Sequence, residues 1–297
     1  MVSMKRSEWT AVAAIPAALA AAALVAWAGS TGGGAILGLP AFAALYALAF
    51  LIQWAVFVPS YLLQSERFFD ITGSLTYISV VALAVAWSAP VDARSALLLG
   101  LVIVWAGRLG VFLLRRVRRT GKDERFDELK QSFPRLLLTW TLQGLWVSLT
   151  LAAALAAITT DLRQPLGVAG IVGLAVWLCG FATEAIADRQ KSRFRSDPAN
   201  RGRFIRSGLW MWSRHPNYFG EIVLWIGIAL IAAPVLRGWQ WTTLISPVFV
   251  ILLLTRVSGI PMLEKRADEK WGGQEDYESY KRATSVLIPR PPRDAER

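Results

Sequence analysis

Eight long apolar runs constrain this chain more than any other feature. Residues 11–28, 36–58, 71–89, 95–114, 136–158, 166–186, 218–236 and 241–262 carry few charges, and each is close to the roughly 20 residues that an α-helix needs to cross a hydrocarbon core. The expected fold is an all-α, multi-pass membrane bundle of seven to eight transmembrane helices. Composition agrees: 55% of the residues are hydrophobic and the mean hydropathy is +0.43, more than one soluble core requires. Trp9, Trp27, Trp54, Trp87, Trp239 and Trp241 fall near the ends of runs, where amphipathic rings settle at the membrane interface.

The net charge of +11 raises the question of a nucleic-acid partner, and its distribution answers it. With the N-terminus inside, one face receives Lys5, Arg6 and Arg67, then the group Arg115, Arg116, Arg118, Arg119, Lys122, Arg125 and Lys130. The same face receives eight bases between Arg189 and Arg214, and the tail from Lys265 to Arg297. The opposite face has only Arg94, Arg163 and Arg237. That asymmetry follows the positive-inside rule and makes both termini and the basic loops cytoplasmic, in the plasma (inner) membrane if the chain is bacterial. Membrane orientation accounts for the charge, and no nucleic-acid partner is expected. No required protein partner and no metal site are evident either.

The first run, 11–28, is alanine-rich, follows Lys5 and Arg6, and ends in Ala26-Trp27-Ala28. It reads either as an extra N-terminal helix or as a signal segment, and its length favours the helix. The organisation expected is one membrane domain over 1–297: the extra segment at 11–35, a helix bundle over 36–262, and a cytoplasmic tail over 263–297. The single cysteine, Cys179, lies within a run, which excludes an intrachain disulfide. Residues Pro289 to Arg297 look like a loose polar end.

Function should lie in the large cytoplasmic segments and the helix ends that feed them. In the first segment Arg108 sits inside an apolar run, where it either meets an anionic partner or ligand or snorkels towards the interface. The Arg115–Arg119 cluster reads as an anchor to anionic headgroups. In the second, Glu184, Asp188, Lys191 and Arg195 fall at spacings of three and four residues and share one helical stripe, acids first and bases after. Such a stripe is either self-neutralising and solvated or a nucleotide site, with acids on ribose or adenine and arginine on phosphate. The chain has no glycine-rich phosphate loop, which excludes a Rossmann site.

The densest chemistry follows, in Gly208-Leu209-Trp210-Met211-Trp212-Ser213-Arg214-His215-Pro216-Asn217-Tyr218-Phe219-Gly220-Glu221. It sets the only histidine beside an arginine, an asparagine and a glutamate at the mouth of an apolar run, where polar groups are costly. Pro216 suits the first turn of a helix, so the seventh span is expected to start there, with its free amides and positive dipole end favouring an anion. Asn217 and Glu221 share one face; Arg214, Tyr218 and Glu221 share a neighbouring one. Taken alone, His215 would be only a capping residue.

This run, from Gly208-Leu209-Trp210 through Ser213-Arg214-His215-Pro216-Asn217-Tyr218-Phe219-Gly220-Glu221, resembles the C-terminal motif of the steroid 5-alpha-reductase superfamily, and most closely its bacterial DUF1295 branch. The resemblance extends from about residue 36 onward, with Phe69-Asp70-Ile71-Thr72-Gly73-Ser74 and Trp105-Ala106-Gly107-Arg108-Leu109 as further pieces. It implies a membrane-embedded reductase of lipid metabolism that uses NADPH to saturate a carbon–carbon double bond of a steroid-like or other apolar lipid. Isoprenylcysteine methyltransferases share the Arg-His-Pro core, so an S-adenosylmethionine-dependent methyltransferase of that type is the alternative, and a non-catalytic scaffold is a third. Asn217 and Glu221, with Asp188 and Arg195 upstream, lean towards the reductase.

Position by position, the resemblance implies that Asp188 and Arg195 hold the adenosine and its phosphates, and that Asn217, Tyr218 and Glu221 lie along the nicotinamide half. Glu184, Trp210, Arg214 and His215 complete the implied cofactor set; Glu184 stands where the steroid reductases have asparagine. Trp105 and Arg108 fall on the substrate side. There the steroid reductases carry a tyrosine that contacts the substrate carbonyl, whereas the indole of Trp105 donates a hydrogen bond but is no practical acid. Their upstream substrate-facing glutamate has no counterpart, since Glu66 and Asp70 both fit poorly. Their cofactor-contacting arginine after the last span is replaced by Ser258-Gly259-Ile260-Pro261, leaving Arg256 or Arg266 as substitutes. The family's C-terminal segment closes over the cofactor, and the tail here offers Glu264, Tyr277 and Tyr280. In such a reduction hydride reaches the β-carbon and charge builds on the conjugated oxygen, so donors there and an acid for the α-carbon lower the barrier. Glu221 is the expected catalytic residue, orienting the carboxamide or joining a proton relay; Tyr77, Tyr61 and Asp70 remain open as the final proton donor. The expected cofactor entry is from the basic face, with the lipid entering laterally near Trp105.

Overall fold

The computed structural model describes residues 6–36, 38–88, 91–120 and 126–292. Lys5, Ala89, Lys122, Arg125 and the last five residues, among them Arg293 and Arg297, lie outside the described residues, as do the side chains of Arg116, Arg118 and Arg119. The described chain is almost wholly helical: α1 (Arg6–Gly29), α2 (Ala41–Leu62), α3 (Phe69–Trp87), α4 (Ala93–Thr120), α5 (Phe133–Thr159), α6 (Gly167–Ser196), α7 (Leu209–Trp212), α8 (Pro216–Ala232), α9 (Ile245–Leu252), α10 (Ile260–Trp271) and α11 (Glu275–Ala283). One two-residue antiparallel hairpin, Ala35–Ile36 with Leu39–Pro40, joins α1 to α2. Eight described segments are long and apolar enough to cross a membrane, and each overlaps one of the runs read from the sequence. The last of them, Gly238–Trp271, is a composite of a 3-10 turn, α9, a five-residue π-helical stretch (Leu253–Val257) and α10.

The chain divides into two compact units, Met1–Gly170 with Ile231–Ser246, and Ile171–Leu230 with Pro247–Arg297. In the first, α5 is the central helix. From Val147 to Thr159 every residue is buried, which is why this run is apolar on all sides rather than along one stripe. Helices α1, α2 and α3 pack on it, and α4 packs on α3. An aromatic cluster of Phe57, Phe69, Phe126 and Trp140 closes the end near the 126–132 turn. Helix α1 buries Ala11, Ala18, Ala22 and Ala28, so its alanines let two helices approach closely.

Two residues read from the sequence as surface features lie within the packing. Arg94, assigned to a sparse outer loop, is 1% exposed. Its guanidinium donates to the carbonyl oxygen of Pro165 (2.9 Å), in the loop before α6, and to that of Ile231, a last-turn acceptor of α8 that would otherwise be orphaned. Trp54 is half-buried, and its indole donates to Thr141 Oγ1 at 3.1 Å. Trp9, Trp27, Trp87, Trp239 and Trp241 are exposed, as an interfacial belt requires.

Candidate functional site

The second unit is built around a backbone-to-backbone crossing of α6 and α8. A Cβ added at Gly220 would lie 2.5 Å from the Glu184 nitrogen and 2.6 Å from the Gly180 oxygen. One at Gly180 would lie 2.4 Å from the Leu224 nitrogen, and one at Gly227 2.6 Å from the Trp177 nitrogen. Only residues without a side chain permit so close an approach, the usual means of helix association where lipid removes the hydrophobic drive. The crossing fixes the acid-bearing face of α6, with Glu184 4% and Asp188 9% exposed, against the first turns of α8, where Asn217, Tyr218 and Glu221 are half-buried.

Helix α6 runs unbroken to Ser196, so Glu184, Asp188, Lys191 and Arg195 do lie along one helix end. Arg195 is exposed at its tip. Lys191 sets its ammonium 4.4 Å from the centre of the Trp210 ring and lies within electrostatic reach of Asp188, Arg195 and His215. Trp210 is itself locked, its Nε1 donating to the Ala187 oxygen at 3.0 Å. Gly208 enters α7 at φ +62°, and Gln190 Oε1 accepts from the Leu209 nitrogen at 3.0 Å.

Helix α8 begins at Pro216, as expected, and the His215 carbonyl accepts its first bond from the Phe219 nitrogen at 3.1 Å. His215 thus stands at the helix mouth, but its ring does no capping. Nε2 lies 2.7 Å from Glu264 Oε1, while Arg214 Nη1 donates to the other carboxylate oxygen. The ring stacks on Tyr218 with centroids 5.7 Å apart and planes within 13°. Burial pushes the His215 pKa below its ordinary value, outweighing the opposing pull of Glu264, which favours the neutral imidazole. His215 Nδ1 and Arg214 Nε are both buried and have no hydrogen-bond partner among the described residues.

The C-terminal segment holds this turn in place. Arg214 N donates to the Ser285 oxygen (2.9 Å), Ser213 Oγ to the Leu287 oxygen (2.7 Å), and Arg290 N to the Trp212 oxygen (3.0 Å). Further back, Tyr280 Oη donates to the Trp210 oxygen and Trp271 Nε1 to the Gly202 oxygen, both at 2.6 Å, with Phe204 packed among Trp271, Tyr277 and Tyr280. The tail therefore covers the Trp210–His215 stretch.

Of the residues expected from the sequence, Glu184, Asp188, Trp210, Arg214, His215, Asn217, Tyr218 and Glu221 fall together in the second unit, with Arg195 at its rim. Trp105 and Arg108 belong to α4 in the first unit. Trp105 is 1% exposed with its ring edge-on to Tyr77 (5.0 Å, 86°), and Arg108 is half-buried. Glu264 is the residue that sequence reasoning left without a role. Its sequence signal is slight: an acid one turn beyond Pro261, in a tail where acids and bases are equally frequent.

A family model described as "Protein of unknown function (DUF1295)" matches residues 56–284. The chain is 28% identical over 120 residues to the rat protein named 3-oxo-5-alpha-steroid 4-dehydrogenase 1, covering 40% of each. It is 27% identical over 121 residues to the Arabidopsis thaliana protein named steroid 5-alpha-reductase DET2, again 40% of each. An uncharacterized Schizosaccharomyces pombe protein is 25% identical over 198 residues, 57% of this chain and 56% of its own. The chain thus spans about two-fifths of the length of the named reductases it matches. No solved structure matches it.

Proposed function

The chain belongs to the DUF1295 family, within the steroid 5-alpha-reductase superfamily, and on that premise we propose that it is a membrane-embedded, NADPH-dependent reductase. Its reaction saturates a carbon–carbon double bond of a steroid-like or other apolar lipid. The observation that carries the reading is the α6–α8 crossing, which sets the acid stripe of α6 against Asn217, Tyr218 and Glu221 at a cationic helix mouth. A dinucleotide suits these residues: Arg214 Nε and His215 Nδ1 are a buried donor and a buried acceptor awaiting partners, and Lys191 and Arg195 offer charge to phosphate.

In this reading Asp188 and Glu184 accept hydrogen bonds from the adenosine half and Arg195 holds its phosphates. Trp210, Arg214, His215, Asn217 and Tyr218 line the remainder. When bound, NADPH supplies the hydride. Glu221, reaching from the same α8 face as Asn217, orients the carboxamide or relays a proton. Trp105 and Arg108, on α4 of the first unit, are the residues that the family resemblance puts on the substrate side. The basic loops and both termini face the cytoplasm, where the dinucleotide is available.

Purified protein should be melted with NADPH and, separately, with S-adenosylmethionine. A ligand that binds only the native state at about a hundred times its Kd stabilises by about 2.7 kcal/mol. A shift with NADPH alone, followed by its oxidation in the presence of a conjugated 3-oxo steroid, supports the reading; a shift with S-adenosylmethionine alone overturns it.

A further inference from the structure

The chain has one histidine, buried at the mouth of α8, with one ring nitrogen engaged and the other not. The engaged nitrogen, Nε2, faces Glu264 Oε1 at 2.7 Å. The second carboxylate oxygen takes the guanidinium of Arg214. A carboxylate paired in this way can only accept, so Nε2 must carry the proton. No acceptor faces Nδ1 among the described residues and burial disfavours the imidazolium, so a second proton has no place there and Nδ1 is an unprotonated lone pair. Stacking on Tyr218 and the bond from His215 N to Ser213 Oγ (3.1 Å) fix the direction in which that lone pair points. At 5% exposure, the residue holds an acceptor that water does not freely serve, and leaving such a group unpaired is costly.

We propose that Glu264 is a positioning residue that holds His215 as the Nε2–H tautomer, so that Nδ1 is a built acceptor for an N–H donor of the bound ligand. The donor is the carboxamide amino group of the nicotinamide, a clause that rests on the reductase reading above. The role of Glu264 is electrostatic direction rather than contact. It acts through His215, and the C-terminal strap at Ser285 and Leu287 keeps the Ser213–His215 turn in register with it.

Glu264→Gln tests this because it keeps the shape and breaks the symmetry of the two oxygens. Arg214 can only donate, so the amide carbonyl must turn to it and the amide N–H₂ must face Nε2. The imidazole then has to accept at Nε2 and carry its proton on Nδ1, turning the acceptor into a donor opposite another donor. With a single histidine, protein labelled with ¹⁵N-histidine in lipid nanodiscs gives one pair of ring nitrogens, and two-bond ¹H–¹⁵N correlation reports the tautomer directly. The wild type without ligand should show Nε2–H, and Glu264→Gln should show Nδ1–H. A wild-type spectrum of the Nδ1–H tautomer or of imidazolium at pH 7 overturns the role of Glu264, whether or not the variant folds. So does a folded variant whose spectrum matches the wild type.

Saturating NADPH should shift the wild-type Nδ1 resonance, and Glu264→Gln should weaken NADPH and NADH alike by about tenfold, the value of about 1.4 kcal/mol for one lost hydrogen bond. NADPH that binds, as read by quenching of tryptophan emission, yet leaves Nδ1 unmoved overturns the carboxamide clause. NADPH that does not bind at all overturns that clause together with the reductase reading, while the free-protein spectrum still decides the tautomer.

Discussion

Replacing Gly220 by alanine should separate the two halves of the proposed cofactor site without altering any of its functional groups. The added methyl would lie 2.5 Å from the Glu184 nitrogen and 2.6 Å from the Gly180 oxygen. Both are backbone atoms inside α6, so neither can rotate away as a side-chain end would. Restoring ordinary contact at about 3.5 Å requires the helices to part by about 1 Å. Overpacking of this kind costs about 1–3 kcal/mol, and a displacement of about 1 Å in a positioned site can cost about 10²-fold in rate. The assay is a thermal melt in detergent beside NADPH affinity and turnover, with Gly100→Ala as the reference. Gly100 is exposed on α4 with nothing within 4 Å of its added Cβ, and that substitution should leave stability unchanged or raise it by about 0.5–1 kcal/mol. Expected for Gly220→Ala are a melt lowered by several degrees and a loss of turnover larger than the stability loss predicts. A Gly220→Ala protein that melts and turns over like the wild type would refute the argument that this crossing sets the site geometry.

Arg195→Ala should weaken NADPH by about tenfold to a hundredfold, from a charge-assisted bond worth about 1.5–3 kcal/mol, and leave NADH almost unchanged. Equal loss for both cofactors in a binding titration would move Arg195 to the shared pyrophosphate. Glu221→Gln should depress turnover more than NADPH affinity; steady-state kinetics at the wild-type rate would make Glu221 structural. Because burial depresses the folded-state pKa of His215 below its ordinary 6.5, the unfolded chain takes up that proton first as pH falls. Its stability contribution should be complete above about pH 6.5 and decline below it, a decline that equilibrium unfolding should find flattened in His215→Asn. Cysteines placed singly at 189–206 in a Cys179→Ala background should react with impermeant maleimide from the cytoplasmic side, since Cys179 is itself exposed; labelling from the outside would reverse the orientation.

Much of the fold was legible because a bilayer enforces simple rules: eight apolar runs became eight spanning-length segments, and Pro216 opened α8 where its missing N–H cost nothing. The stripe of Glu184, Asp188, Lys191 and Arg195 was equally readable, because 3.6-residue periodicity alone places them on one helix. What periodicity cannot supply is partnership across the chain. Gly180, Gly220 and Gly227 look like ordinary small residues until α6 and α8 are laid together, when their absent side chains become the reason the two polar stripes meet. Arg94 was assigned by its neighbours in sequence to an outer loop, and only the fold brings the Pro165 and Ile231 carbonyls to it. The histidine is the sharpest case. Its motif marked it, yet its chemistry is decided by Glu264, which lies 49 positions away on α10 beyond a π-helical break that no apolar pattern signals. A local motif can thus say that an imidazole matters, while which of its nitrogens receives the ligand is a property of the folded chain.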